Sequence, residues 1–204
     1  RKAIKGKINK VQVMTKFGLR WDSKSGQMHF EKTKDNQGRE LSIYRNGRKE
    51  SIFKECDESL RRLGLDTIDL YQQHWADTST PVEETMEALE ILKTHGKIRA
   101  GGVCNYTARQ FAEADKFFKL TSNQVPYSMV LRDIEKELIP HCISNNKAII
   151  AYSPLQRGIL TGKITAGYKF REGDHRPGTP FYKEPNISLI KTFLDKIKPI
   201  AEGK

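Results

Sequence analysis

The sequence has little of what marks a membrane-spanning, disulfide-stabilised or metal-binding chain. No run of about 18 apolar residues occurs, and the mean hydropathy is −0.65. The basic N-terminus has no apolar segment behind it that would make a secretory signal. The three cysteines, Cys56, Cys104 and Cys142, are widely spaced and odd in number, which predicts free thiols and a reducing, cytoplasmic setting. Neither HxxxH nor CxxC spacing occurs, so no metal site is expected.

Two phosphate-binding signatures are also missing. No GxGxxG turn is present, which argues against the open, doubly wound sheet that binds dinucleotides. The segment 158–163 (GILTGK) is one residue short of the GxxxxGK loop and lacks the Ser or Thr that should follow it. Walker-type nucleotide binding is therefore excluded.

Acidic residues are outnumbered, with 25 Asp and Glu against 36 Lys and Arg, which gives a formal charge of +11. Most of that excess, a net +9, falls in residues 1–56. The cations are scattered over several predicted elements, without the interleaved aromatic residues that stack on bases. A solvated basic surface is favoured over nucleic-acid binding, and neither a nucleic acid nor a membrane is predicted as a partner.

Strands and helices are predicted to alternate along the chain. Short apolar runs predict strands at 11–16, 67–72, 98–104, 122–125 and 148–153. Helical periodicity is found at 50–63, 81–95, 107–118, 132–144 and 187–201. Such alternation is typical of an α/β protein with a parallel sheet, and the missing glycine-rich turn favours a (β/α)8 TIM barrel.

Two features complicate the barrel prediction. Only about five of the eight strands of such a barrel are found. We therefore expect residues 1–204 to be a single barrel domain that is incomplete at both ends. Residues 22–49 are polar and have no helical periodicity, which predicts a long loop insertion, with a possible hairpin from 28–30 to 41–44.

Polar residues end several of the predicted strands, where a barrel carries its active site. Lys16 ends the first strand and His74 follows the second. A histidine at this place is, by itself, more often structural than functional. A lysine ending a buried strand needs a polar environment for its ammonium, however, and Lys with His at one barrel mouth can polarise or protonate a carbonyl oxygen.

Five motifs in this order resemble the aldo-keto reductases over nearly the whole chain. They are VMTKFG at 13–18, SLRRLGLDTIDLYQQHWAD at 59–77, KIRAGGVCNY at 97–106, NQVPYS at 123–128 and AYSPLQRGILTGK at 151–163. The chain resembles the central portion of members close to the bacterial inositol-linked and general-stress reductases. The resemblance implies a TIM barrel that binds NADP(H) and reduces small aldehydes or ketones to alcohols.

The resemblance also implies roles for individual residues. Lys16 and His74 match the lysine and histidine of the family's catalytic tetrad, and Trp21 and Trp75 would line the substrate pocket or simply pack there. The residues implied for cofactor binding are Cys104, Asn105, Gln124, Tyr152, Ser153, Pro154, Leu155, Gln156, Arg157, Lys163 and Arg176. Cys104 departs from the family pattern, because a thiol stands where a serine is usual.

No residue matches the aspartate and tyrosine of the tetrad, which we expect on a segment in front of this chain. The residues that grip the adenosine are expected beyond its end. Two alternatives follow from the same fold: a cofactor-sensing subunit without enzymatic activity, as in potassium-channel β-subunits, or a catalytically dead fragment. His74 argues against the first, because those subunits carry a different residue there. Substrate identity, NADPH or NADH preference and oligomeric state stay open.

Overall fold

The computed structural model describes residues 2–203, whose strands and helices largely follow the predicted alternation. Arg1 and Lys204, the limits of the predicted domain, lie outside the described residues. The strands are β1 (Met14–Phe17), β2 (Leu19–Arg20), β3 (Gln27–Lys34), β4 (Glu40–Arg45), β5 (Ile68–Gln73), β6 (Ile98–Cys104), β7 (Ser122–Pro126) and β8 (Ala148–Tyr152). The helices are α1 (Lys49–Leu63), α2 (Val82–Thr94), α3 (Ala108–Ala114), α4 (Leu138–Ser144) and α5 (Asn186–Glu202).

The chain divides into two compact units. The first comprises the residues up to Val125 together with residues 136–150. The second comprises residues 126–135 and the residues from Ala151 onward.

The first unit contains a five-stranded sheet in the order β1-β5-β6-β7-β8. Its pairs β1–β5, β5–β6 and β6–β7 are parallel, which confirms the predicted α/β class with a parallel sheet. The register sets Lys16 beside Gln72, and Gln72 beside Gly102. Residues paired in this way point to the same face of a sheet. This register fixes which side chains share the candidate site.

Helices cover the opposite face of the sheet and form the core of the first unit with it. The rings of Phe17 and Tyr71, from β1 and β5, lie 4.7 Å apart. Ile52 on α1 and Leu89 on α2 are fully buried with them. Burying a side chain of this size contributes about 1.5 to 3 kcal/mol, so this layer holds the strand ends in place.

Strand β6 carries two adjacent glycines where the backbone of the sheet meets close neighbours on both faces. A Cβ on Gly101 would lie 2.5 Å from Phe118 Cε1. A Cβ on Gly102 would lie 2.7 Å from the hydroxyl oxygen of Ser122 and 3.1 Å from its carbonyl oxygen. Both contacts are closer than a Cβ tolerates, so no side chain fits at either position.

Residues 22–49 contain an antiparallel β-hairpin, which confirms the expectation of one in this insertion. Strands β3 and β4 pair with each other, and β2 pairs with β4 to give the sheet order β2-β4-β3. The hairpin is longer than predicted, because β3 extends to Lys34 and pairs there with Glu40.

Two predicted elements differ from the structure for identifiable reasons. The helix expected at 132–144 is divided into a 3₁₀ turn, Asp133–Glu135, and the short helix α4. Pro140 has no N–H and tolerates only the first turn of a helix, so a helix cannot run through it from residue 132. The helix expected at 107–118 ends at Ala114, after which the backbone of Lys116 bonds to Glu113 in a tighter turn.

The second unit packs around a small apolar cluster formed by its loops and α5. Its buried members are Ile159, Leu160, Ile164, Tyr182, Ile187 and Ile190. Helix α5 confirms the last predicted helix, within one residue at each end. Within residues 2–203, no helix combines the length and the apolar character that crossing a bilayer requires.

Candidate active site

Lys16 and His74 line the same cavity, of about 480 Å³, in the first unit. Lys16 lies in β1, and the backbone N–H of His74, just past β5, donates to the carbonyl oxygen of Phe17 at 2.9 Å. The cavity is lined by Lys16, Phe17, Leu19, Arg20, Trp21, Asp22, Ile43, Glu55, Glu58, Ser59, Arg62 and His74. No carboxylate of the described part of the chain forms an ion pair with Lys16, so its ammonium is available to a ligand.

The half-buried imidazole of His74 is held in the neutral form. Burial lowers its pKa, and the positive charge of Lys16, followed by the nearby imidazole of His29, lowers it further. A neutral imidazole keeps one N–H donor and one acceptor nitrogen. His74 can therefore donate a hydrogen bond near neutral pH without adding a second full positive charge beside Lys16.

Asn105, the residue after β6, is joined directly to the loop that carries His74. Its side-chain Nδ2 donates to the carbonyl oxygen of His74 at 3.0 Å, and its backbone N–H donates to the carbonyl of Gln124 at 2.9 Å. Its φ of 61° is in the left-handed region, which asparagine tolerates better than most residues. The structure thus brings Lys16, His74, Asn105 and Gln124 together.

Cys104 lies beside the amide of Gln124. Its Sγ is 3.8 Å from Gln124 Oε1, and only 1% of the residue is exposed. Burial raises the pKa of this thiol to about 11. Cys104 is consequently a neutral, weak hydrogen-bond donor, as expected where a thiol stands in place of a hydroxyl.

Gln72 was not identified from the sequence, although it contacts the same amide. Its Nε2 donates to Gln124 Oε1 at 3.2 Å. Gln72 Oε1 and the hydroxyl of Ser122 are both buried without a hydrogen-bond partner in the described structure. A buried polar side chain within an apolar strand is the signal that could have found Gln72, because such groups are costly to bury unless they are used.

The two tryptophans have different surroundings. Trp21 lines the cavity of Lys16 and His74 and is 66% exposed. Trp75 does not line it: its ring lies 5.0 Å from the guanidinium of Arg45 and 5.2 Å from the ring of His29. The hairpin thus packs on the residue that follows His74.

The loop that follows β8 has an unusual backbone in the second unit. Ser153, Gln156 and Arg157 all have positive φ, between 45° and 54°. Buried contacts stabilise this conformation, because Gln156 Oε1 accepts from the hydroxyl of Ser128 at 3.0 Å. The hydroxyl of Tyr182 is 2.8 Å from the carbonyl oxygen of Gln156 and 3.0 Å from that of Arg157. Tyr182 is a second residue that sequence reasoning missed.

The remaining predicted cofactor residues of the second unit differ in their hydrogen bonds and in their exposure to solvent. The Tyr152 carbonyl accepts from the backbone of Tyr127 at 3.2 Å. Lys163 and Leu155 are exposed, and Pro154 lies between Leu155 and Ser153 in the same loop. The sequence predicts these residues, together with Ser153, Gln156 and Arg157, to bind the cofactor.

The guanidinium of Arg176 is held by several groups of the protein, so this residue does more than offer a positive charge to a cofactor. Its guanidinium bonds to Asp174 at 2.6 to 3.0 Å and to the carbonyl of Arg157 at 3.1 Å. It also lies 5.2 Å from the ring of Phe170. The pair lowers the pKa of Asp174 to about 2, chiefly through hydrogen bonds from Arg176. Arg176 therefore supports the backbone of the loop.

A model of the Aldo/keto reductase family matches residues 1–203. The chain belongs to the aldo-keto reductase family. It is 34% identical over its whole length to the aldo-keto reductase YhdN of Bacillus subtilis, of which it covers 57%. It is 37% identical, over 94% of its length, to the NADH-specific methylglyoxal reductase of Escherichia coli, again covering 57% of that protein. The chain thus spans just over half the length of these relatives.

Solved aldo-keto reductases confirm the predicted fold. The glycerol dehydrogenase of Gluconobacter oxydans matches 99% of this chain with a TM-score of 0.87 and 35% identity, and the chain covers 58% of it. An aldo/keto reductase of Klebsiella pneumoniae, solved with NADP and acetate, matches 82% of the chain with a TM-score of 0.59 and 28% identity, and the chain covers 51% of it. The five strands of the parallel sheet are accordingly part of a TIM barrel of this family.

Proposed function

We propose that the full protein is an NADP(H)-dependent reductase that converts aldehydes or ketones to alcohols by hydride transfer. The observation that carries this proposal is the cavity shared by Lys16 and His74 at the carboxyl ends of two adjacent parallel strands. Family membership and the names of the relatives support it. NADP(H) is the cofactor of this proposal because a similar structure is solved with NADP, and one relative is named as NADH-specific.

The residues present fit a nicotinamide cofactor. In the first unit, Asn105 and Gln124 supply amide groups that can both donate to and accept from a carboxamide. In the second unit, Ser153, Gln156 and Arg157 have left-handed backbone, and the exposed side chain of Arg157 offers a cation that can counter the charge of a pyrophosphate. Lys163 adds a positive charge nearby in sequence.

The chemistry assigned to this chain lies in the first unit. When bound, the cofactor supplies the hydride. Lys16 places a positive charge in the cavity, where it stabilises the phenolate that the proton-donating tyrosine of the family becomes, and electrostatic stabilisation of that kind is commonly the largest catalytic contribution. Neutral His74 donates a hydrogen bond to the carbonyl oxygen of the substrate and orients that carbonyl. The family's proton donor is a tyrosine that no residue here matches, so Lys16 and His74 act beside it.

The test is a steady-state assay of NADPH oxidation by the full-length protein with a panel of small aldehydes and ketones. We expect aldehyde-dependent oxidation that falls about 100-fold or more in His74→Ala, because a positioned donor of this kind contributes at least that much. Binding of NADPH without turnover by any substrate would favour the cofactor-sensing alternative. Absence of NADPH binding would overturn both.

Tyr182 offers a separate test of the cofactor loop. Tyr182→Phe removes the hydroxyl that bonds to the backbone of Gln156 and Arg157. A net hydrogen bond is worth about 1 kcal/mol, so we expect the Kd for NADPH to rise about threefold to tenfold, measured by fluorescence titration. Tyr168→Phe is the matched control, because the Tyr168 ring is 42% exposed. Equal shifts in both variants would contradict a specific role for Tyr182.

We also propose that the protein works in a reducing cytoplasmic compartment on small carbonyl substrates. The support is the state of its cysteines: Cys56, Cys104 and Cys142 are all buried, free thiols. Free, unpaired cysteines are typical of reducing compartments. No observation in the structure favours a nucleic-acid partner.

A further inference from the structure

Glu55 is a buried carboxyl group that the proposed chemistry does not use. It lies on the face of α1 that also carries the buried residues Ile52 and Cys56, and only 9% of it is exposed. Its Oε2 accepts the backbone N–H of Gly18 at 3.0 Å, and its Oε1 accepts the hydroxyl of Ser51 at 3.1 Å. An acid on the apolar side of a helix needs such partners, because an unpaired buried charge is costly.

These contacts connect α1 to the segment that immediately follows Lys16. Gly18 is two residues beyond Lys16 in the chain. The guanidinium of Arg20 is 3.8 Å from Glu55 Oε1, and it also pairs with Asp22. The Arg20 side chain is only 8% exposed, so this pair is poorly screened by solvent. Glu55 therefore holds the backbone of the turn at Gly18, which ends β1, and the charged side chain of Arg20 in β2, which follows that turn.

Glu55 also lines the cavity that contains Lys16 and His74. The titratable and charged groups around it come from every element packed on it: Lys16, Arg20 and Asp22 from β1 and the segment after it, Tyr71 and His74 from β5 and its end, and Cys56, Glu58 and Arg62 from α1. Among these, the hydrogen bond from Gly18 and the guanidinium of Arg20 favour the ionised form of Glu55, whereas Asp22 opposes it.

We propose that Glu55 is a positioning residue for Lys16: its carboxylate fixes the turn at Gly18, which leads from β1 into β2, and protonation of Glu55 loosens that turn. An ionised acceptor makes a hydrogen bond to a backbone N–H about twice as strong as a neutral one does. Loss of the negative charge also removes the attraction to Arg20. The inference rests on the proposed reductase function only where it concerns catalysis, since the turn itself can be observed without turnover.

The protonated and ionised forms of Glu55 interconvert at physiological pH. Burial raises the pKa of Glu55 to about 7, even though Gly18 and Arg20 act in the opposite direction. Glu55 is therefore mostly protonated at pH 6 and mostly ionised at pH 8. We expect kcat/KM to fall about tenfold from pH 8 to pH 6 along a single ionisation, and Glu55→Gln to be nearly independent of pH over this range.

The decisive measurement is the amide resonance of Gly18 in the ¹⁵N-labelled full-length protein, followed from pH 5.5 to 8.5. We expect one titration with a midpoint near 7 in the wild type. Glu58→Gln removes a carboxyl from the same helix and should leave that titration in place, whereas Glu55→Gln should abolish it. If the glutamine variant fails to fold, His74→Ala takes its place: the Gly18 titration must persist in that variant, because His74 is another titratable group of the same cavity.

Each outcome separates this inference from the proposed function. A Gly18 resonance that does not titrate, or that still titrates in Glu55→Gln, would overturn the role of Glu55 whether or not the protein reduces carbonyls. A titrating resonance with no carbonyl reduction at any pH would overturn the reductase proposal and leave the coupling between Glu55 and the turn intact.

Discussion

Replacing Lys16 with methionine is expected to lower kcat for carbonyl reduction about 100-fold to 1000-fold. Methionine keeps the length and apolar stem of the side chain but removes the charge. Lys16 has no ion-pair partner in the described part of the first unit, so the variant leaves no buried acid unpaired there. The effect should therefore appear in turnover, with the Kd for NADPH changed by less than about threefold.

Lys10→Met is the control for this experiment. Lys10 is exposed and precedes β1, and it does not line the cavity of Lys16 and His74. Its replacement changes the net charge by the same amount at a neighbouring place in the chain. Similar losses in both variants would show that the charge of Lys16 acts at long range on the whole protein, against its assignment to the site.

Replacing Asp77 with alanine is expected to lower the free energy of unfolding by about 3 kcal/mol. Asp77 is only 7% exposed. Its Oδ2 accepts from the backbone of Gly47 at 2.9 Å and from the hydroxyl of Thr80 at 2.7 Å. Its Oδ1 accepts from the backbone and the hydroxyl of Ser79 at 2.9 and 2.6 Å. Truncation leaves these donors without their acceptor, and denaturant unfolding measures the loss.

Asp66→Ala is the control for the alanine substitution, because Asp66 is exposed and should change stability by less than about 0.5 kcal/mol. Acid titration gives a further check. Burial acts to raise the pKa of Asp77, but hydrogen bonds from Ser79, Gly47 and Thr80 outweigh it and leave the pKa lowered. The stabilisation is then present above the ordinary pKa of 3.8 and lost as the pH falls through the lower value. A loss under about 1 kcal/mol in Asp77→Ala would contradict this account.

Sequence patterns predicted the bounds of strands and helices best where residues close in sequence decide them. Strand β6 was predicted with the bounds that the structure has. Helix α1 ends at Gly64, which adopts a left-handed conformation and donates to the carbonyl of Leu60 at 2.8 Å, as expected of a glycine at a helix end. Strand β1 starts later than predicted, at Met14, because the N–H of Val13 bonds to the Asp69 side chain at 2.8 Å instead of to a strand.

The candidate site was predictable only in part, for a physical reason. Lys16 and His74 each end a strand, and strand ends of a parallel sheet meet at one edge, so a linear pattern suffices to pair them. Gln72 reaches the site because of the strand register, and Glu55 reaches it because of the packing of α1. Both kinds of contact join residues that are far apart in sequence. Glu55 did leave a signal, because it is an acid that lies three residues after Ile52, on the face of the helix predicted to be buried, but its partner Gly18 belongs to another segment.

The paired glycines of β6 have a consequence for how the protein can change over evolutionary time. Gly101 faces Phe118 and Leu89 of the hydrophobic core, and Gly102 faces Ser122 and Gln72 at the candidate site, so only the thickness of one backbone separates the two. Strand β6, which carries Cys104 and leads into Asn105, therefore has no space on either face into which its backbone could shift when a neighbouring residue is replaced by a larger one. A substitution in the helix layer at this point must be compensated within that layer, or it will displace the residues of the candidate site.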